Sequence, residues 1–283
     1  MNSDFLKNDP YVRQLADENH LSDAFLMENK VMISRVLRER EKCLNCPGLD
    51  SCRQASRGER AALSYDGVLI QELEYCAYGQ AAKEKSDLLN RYVYCDIPAK
   101  LADLDLENIR YTPDQKTLYL KLVAILYGKS RKGLYISGEV GTGKTYLCTA
   151  LANSLVKRGK RVAFVKVNDF INELKSYYGS NEDLIGTYIR KLQRVEYLFL
   201  DDIGSEAVSQ FVRDDVLFRI LDQRMENQLL TIFTSNLDPD SLREHYQYDR
   251  KDKENPMNAL RLMERIEILS DYYVLTGTNK RRE

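Results

Sequence analysis

Apolar residues recur in two different rhythms along this chain. From residue 133 onward, short continuous apolar runs alternate with helical stripes. The segments GLYIS (133–137), RVAFVKV (161–167), EYLFLDD (196–202) and LTIFTSN (230–236) each read as a strand buried on both faces. After the first of them, residues 144–158 place Leu147, Ala150, Leu151, Ser154 and Leu155 on one helical face. Asn168 or Asp169 caps the next helix, whose apolar side carries Phe170, Ile171, Leu174 and Tyr177. Strands alternating with helices predict an α/β fold with a central parallel sheet. Thr112, Pro113 and Gln115 form a capping box for a helix ahead of residue 133.

Residues 1–90 follow another pattern. Asp9-Pro10 reads as an N-cap with proline at the first helical position. Ser22 caps a longer helix predicted to run toward Glu41, with Phe25, Met32, Ile33, Val36 and Leu37 along one face. That face either packs on the first helix or stays open to dock a partner. Asp66-Gly67 between β-favouring residues predicts a hairpin. Periodicity breaks near Ile97-Pro98, so residues 91–104 are a linker or lead-in and 105–283 a second domain. A length of 283 residues accommodates both domains.

Composition then limits the partners. A net charge of −1 leaves nucleic-acid contact to a local patch. One such patch is Lys175, Tyr177, Tyr178, Tyr188, Arg190, Lys191 and Arg194, where cations meet phosphates and rings stack on bases; a solvated amphipathic helix would look the same. No apolar run approaches the ~18 residues of a membrane span. The first residues lack the form of a signal peptide. The expectation is a cytoplasmic protein without membrane contact, its thiols kept reduced.

Candidate chemistry begins at Gly138. Residues 138–145, GEVGTGKT, match the P-loop pattern G-x-x-x-x-G-K-[ST] between a strand and a helix. Gly138, Gly141 and Gly143 let the backbone curl around a polyphosphate with its N–H groups inward, and Thr142 lies within that curl. Lys144 is placed to reach the β- and γ-phosphates of ATP or ADP, and the Thr145 hydroxyl to bind Mg²⁺. The strand at 196–202 ends in Asp201 and Asp202, the Walker B form. Asp201 is placed to bind Mg²⁺ through water and Asp202 to orient or deprotonate the attacking water, or else the pair simply starts the turn at Gly204. Asn236 ends a neighbouring strand, where it reaches the γ-phosphate or that water, or else simply turns the chain before Pro239. Arg261 and Arg265 share one helical face, either offered to a neighbouring subunit's nucleotide or paired with nearby glutamates.

Cys43 and Cys46 form a C-x₂-C knuckle, with Cys52 and Cys76 following. Neither histidine, His20 or His245, lies close to the knuckle in sequence. The spacing predicts a four-cysteine Zn²⁺ site at Cys43, Cys46, Cys52 and Cys76, with Cys95 the rival for the fourth place. Such a metal would be architectural.

The stretches GLYISGEVGTGKTYL, EYLFLDDIGSE, RDDVLFRILDQRM, TIFTSNLD and RLMERIE together resemble the AAA+ helicase-loader family of bacterial replication, the DnaC/DnaI type. The cysteine-bearing N-terminal part is similar to the DnaI branch. The resemblance implies an AAA+ P-loop NTPase preceded by a small, mostly helical zinc-binding domain. It implies an ATPase that binds a hexameric replicative helicase through residues 1–90, self-associates through 105–283, and delivers the helicase onto single-stranded DNA. It also implies that Arg265 is the arginine finger and Arg281 sits near the sensor 2 position. Two features depart from the pattern: no histidine lies among the cysteines, and Asp202 stands where many AAA+ enzymes have Glu. A transposition-helper ATPase, or a scaffold that holds nucleotide without useful turnover, would carry much of the same sequence.

Overall fold

The computed structural model describes residues 8–179, 181–248 and 254–279. It divides the chain into two compact units between Asp87 and Leu88.

The N-terminal unit packs helices on a hairpin. Helices α1 (Pro10–Asn19), α2 (Asp23–Glu28) and α3 (Lys30–Glu41) precede antiparallel strands β1 (Glu59–Tyr65) and β2 (Leu69–Tyr75). Asp66-Gly67 lies in the turn, with Gly67 at φ 74°. Helix α4 (Ala77–Leu89) follows. The long helix expected from Ser22 to Glu41 is instead two helices. At Asn29 the side-chain amide donates to the carbonyl oxygen of Phe25 at 2.9 Å and the backbone turns out of helical geometry. The expected apolar face does turn inward. Ile33, Val36 and Leu37 are buried with Val12, Leu15, Leu26, Ala61, Leu63 and Leu69, while Phe25 and Met32 are partly buried beside them.

The second unit is built on a six-stranded, wholly parallel sheet. In chain order its strands are β3 (Tyr92–Cys95), β4 (Gly133–Ser137), β5 (Val162–Lys166), β6 (Tyr197–Asp201), β7 (Leu230–Ser235) and β8 (Ser270–Val274). They lie side by side as β3-β5-β6-β7-β4-β8. Within the 91–104 segment, Tyr92–Cys95 is thus the edge strand of this sheet. Each central strand sends alternate residues to two apolar layers. Ala163, Val165, Leu198, Leu200 and Phe233 enter one; Leu134, Ile136, Phe164, Phe199 and Ile232 enter the other. Helices α5 (Lys116–Leu126) and α6 (Lys144–Lys157) cover the second layer. The first is covered by α7 (Val167–Ser176), α8 (Glu182–Arg194), α9 (Arg219–Glu226), α10 (Pro239–Gln247) and α11 (Pro256–Leu269), with a π-helix at Phe211–Phe218 running into α9. Among the described residues no helix is long and apolar enough to cross a membrane.

Candidate active site

The strand order builds the site. β7 lies between β4, which leads into the P-loop, and β6, which ends in Asp201. A side chain just past the end of β7 is therefore flanked by both, and that residue is Asn236. Its Oδ1 accepts from the Lys144 ammonium at 2.9 Å, and its Nδ2 donates to Asp202 Oδ1 at 2.9 Å. Lys144 is buried and also donates to the carbonyl oxygens of Gly138 and Glu139, at 2.7 and 2.9 Å.

The phosphate loop is held from outside. Gln115 serves the expected capping box through Oε1, which accepts from Thr112 N. Its Nε2 reaches across to donate to the Thr142 carbonyl at 2.8 Å. A Cβ on Gly143, at φ 101°, would stand 2.4 Å from that Nε2. The tail beyond β8 closes the other side: Leu275 N donates to Ser137 O at 2.7 Å, and a Cβ on Gly141 would meet Asn279 Oδ1 at 2.0 Å. Arg281 lies outside the described residues.

Thr145 Oγ1 donates to Asp201, with 3.0 and 3.2 Å to its two carboxylate oxygens. Burial pushes the Asp201 carboxyl above its ordinary range, while hydroxyls from Thr234 and Thr145 pull it back. A hydroxyl beside a carboxylate is the hard-oxygen donor pair that Mg²⁺ takes, so Thr145 and Asp201 fit that ion. The positive-φ glycines 138, 141 and 143 and the Lys144 ammonium fit a polyphosphate.

Other expected residues lie outside this cluster. Arg265 on α11 is 17% exposed and tied within its own chain, to Asp222 Oδ1 at 3.0 Å and Glu264 Oε2 at 2.5 Å. Its guanidinium also covers the Phe218 ring, as does that of Arg261. Of the proposed stacking tyrosines, Tyr177 and Tyr188 stack on each other 6.1 Å apart, and Tyr177 donates to Glu173. Tyr94 and Phe170 complete that cluster. Tyr178, Arg190, Lys191 and Arg194 are exposed, and Lys175 is partly so.

The four cysteines share the N-terminal unit, while Cys95 ends β3 in the sheet. Gly58 and Gly79 cross so closely that a Cβ on Gly79 would fall 1.9 Å from Gly58 O, which puts the loop after Cys52 against the start of α4. Gln54 Nε2 donates to Cys43 Sγ at 3.2 Å, and Gly79 N donates to Cys76 Sγ at 3.4 Å. Backbone N–H groups of Gly58 and Gln54 lower the Cys52 thiol. Even so, among the described residues no three His, Cys, Asp or Glu side chains converge as a metal-holding group. The thiols expected to hold Zn²⁺ are thus not gathered into one group among the described residues.

Three structural residues gave no signal of their own. Arg224 is wholly buried and donates to four oxygens, from Leu192, Val195, Leu230 and Thr231. The buried Glu206 carboxylate accepts from Gly204 N and from the Tyr246 hydroxyl. Thr234 contacts both Walker B residues.

A parallel sheet with this strand order, a P-loop after β4, paired aspartates after β6 and a polar residue after β7 together define a P-loop ATPase domain of the AAA+ type. The chain belongs to the family of IstB-like ATP binding proteins, whose model matches residues 50–253. It is 28% identical to the replicative helicase loader DnaI of Bacillus subtilis (strain 168), over 98% of this chain and 94% of that one. A crystal structure of DnaI superposes with a TM-score of 0.57 at 32% identity, covering 66% of this chain and 98% of that one. A crystal structure of the DnaC helicase loader shares the fold, with a TM-score of 0.53 at 21% identity over 63% of this chain and all of that one.

Proposed function

We propose that this protein is an ATP-dependent loader that grips a hexameric replicative DNA helicase with its N-terminal unit and delivers it onto single-stranded DNA in the cytoplasm, during primosome assembly. The observation that carries this reading is the likeness to the B. subtilis loader across 98% of the chain, so that both units are included. A transposition helper would share the ATPase site, and the match through the N-terminal unit favours the loader.

Turnover would use the residues already assembled. Lys144 exchanges its carbonyl partners for the β- and γ-phosphates of ATP. Thr145 and Asp201 hold Mg²⁺, which neutralises phosphate charge when bound. Asp202 orients the attacking water and takes its proton, while Asn236 keeps Asp202 in register with Lys144. The short Asp202 side chain suits a slow switch, accelerated by single-stranded DNA at Tyr178, Arg190, Lys191 and Arg194. Self-association would bring Arg265 to a neighbour's γ-phosphate once its ties to Asp222 and Glu264 are exchanged.

An architectural Zn²⁺ in the N-terminal unit is supported by four thiols and by the backbone N–H groups that lower the Cys52 thiol. The lack of convergence among the described residues weighs against it. Elemental analysis of protein purified without chelator decides: about one zinc per chain keeps the site, and none removes it.

The loader reading is tested by retention of the cognate replicative helicase on the full chain and on residues 1–87. Retention by both, with helicase delivery lost in Lys144→Ala, is the expected result. No retention by the full chain ends the loader reading. Delivery unaffected by Lys144→Ala would leave a nucleotide-holding scaffold.

A further inference from the structure

Thr234 lies inside the TIFTSNLD stretch, two residues before Asn236, and it touches three consecutive residues at the Walker B turn, Asp201, Asp202 and Ile203. Its hydroxyl donates to Asp201 Oδ1 at 2.6 Å. The same oxygen accepts from the Asp202 backbone N–H at 2.9 Å. Its carbonyl oxygen accepts from the next N–H, that of Ile203, at 2.9 Å. One β7 residue therefore catches two consecutive amides of the turn after β6, and its hydroxyl proton has a single destination.

Those amides matter because Asp202 has φ 58°, a left-handed conformation uncommon for residues with a side chain, though aspartate enters it more readily than most. In that conformation its carboxylate meets Asn236 Nδ2. Thr234 is buried at 3% exposure, so water does not replace its hydroxyl. Asn236 lies two residues further on, so Thr234 and Asn236 share a strand direction and face the same carboxylate pair.

We propose that Thr234 is a positioning residue for ATP hydrolysis: its hydroxyl fixes the rotamer of Asp201 and its two oxygens lock Asp202 into the left-handed turn, so both carboxylates hold a set spacing from Asn236 and Lys144. This rests on the assignment of Thr145 and Asp201 to Mg²⁺ and of Asp202 to the lytic water. Thr234 touches neither substrate nor metal in this role.

The test compares Thr234→Val, which keeps the shape and removes the hydroxyl, with Thr234→Ser, which keeps the hydroxyl. Two readouts are needed: steady-state ATP turnover of the full chain, and the Mg²⁺ concentration that half-saturates binding of a fluorescent ATP analogue. Thr234→Val should lower turnover about tenfold or more, the worth of one lost hydrogen bond to a charged group. It should raise the Mg²⁺ requirement several-fold, with binding in EDTA unchanged. Thr234→Ser should recover most of both losses. If Thr234→Val does not fold by circular dichroism, Thr234→Ala takes its place with the same expectations. Wild-type turnover and Mg²⁺ requirement in the hydroxyl-free variant would overturn the proposal, as would equal impairment in Thr234→Ser. Wild-type protein with no Mg²⁺-dependent binding of nucleotide would instead sink the reading of the active site itself.

Discussion

Replacing Arg224 by Met should unfold the ATPase unit at distinctly lower denaturant. Arg224 is 0% exposed, and no carboxylate is paired with it among the described residues. Its guanidinium donates to Leu192 O and Val195 O at 2.8 Å each, to Leu230 O at 2.6 Å and to Thr231 Oγ1 at 2.9 Å. The first two carbonyls close the C-terminal end of α8, where a positive charge is also favourable. Met fills the aliphatic space and takes the guanidinium's donors away from these oxygens. Four bonds from a charged donor are worth about 6–12 kcal/mol together, at about 1.5–3 each. Against this stands the cost of burying the charge. Burial pulls the guanidinium from its ordinary 12.5 down to about 9. At about 1.4 kcal/mol per tenfold, that cost is about 5 kcal/mol. The difference leaves a net loss of about 1–7 kcal/mol, with about 3–4 as its centre. Urea unfolding of the full chain, followed by far-ultraviolet circular dichroism, measures it, the larger transition being that of the ATPase unit. A midpoint lowered by about 1 M or more is expected. Thr231→Val, which removes one acceptor, should cost far less. A Met variant with an unchanged midpoint would refute the argument that these carbonyls depend on the guanidinium.

Asp96 is raised to about 6, chiefly by burial and further by Asp169 and Glu173. A carboxyl raised on folding favours the fold while protonated, and that contribution is lost as pH rises from about 4 through about 6. Asp96→Asn should therefore raise the melting temperature at pH 8, by the equivalent of about 1–3 kcal/mol, and leave it unchanged near pH 4; equal gain at both pH values would contradict the burial argument. Asp222→Asn should loosen Arg265 and increase ATP turnover at protein concentrations where subunits associate, whereas Arg265→Ala should remove the concentration dependence altogether. Turnover independent of concentration in wild type would leave Arg265 a structural ion pair. Gly143→Ala should weaken nucleotide binding about tenfold or more, since it places a Cβ at φ 101° and 2.4 Å from Gln115 Nε2; calorimetry showing wild-type affinity would disprove that constraint.

Much of the sheet and its chemistry was legible because the relevant signals are local. A strand followed by GEVGTGKT, or ending in Asp201-Asp202, carries its context within a dozen residues. Asn236 needed one further step, the parallel order that puts β7 beside β4 and β6. What escaped notice depends on partners far along the chain. Gln115 was readable as a cap three residues from Thr112, and unreadable as a tether to Thr142, 27 residues on. Thr234 and Arg224 act through neighbours that only the packed sheet supplies. The break at Asn29 escaped because Ile33, Val36 and Leu37 keep a helical rhythm on their own side of it. Tyr177 and Tyr188 have the right chemistry for bases, but each finds the other first.

Lys144 already donates to two carbonyls of its own loop and to the amide of Asn236. A newcomer competes with contacts the protein makes for itself, so discrimination depends on charge. On the proposed reading, a polyphosphate that draws the ammonium away would free the Asn236 oxygen. Occupancy of the loop would then be felt at the amide beside Asp202.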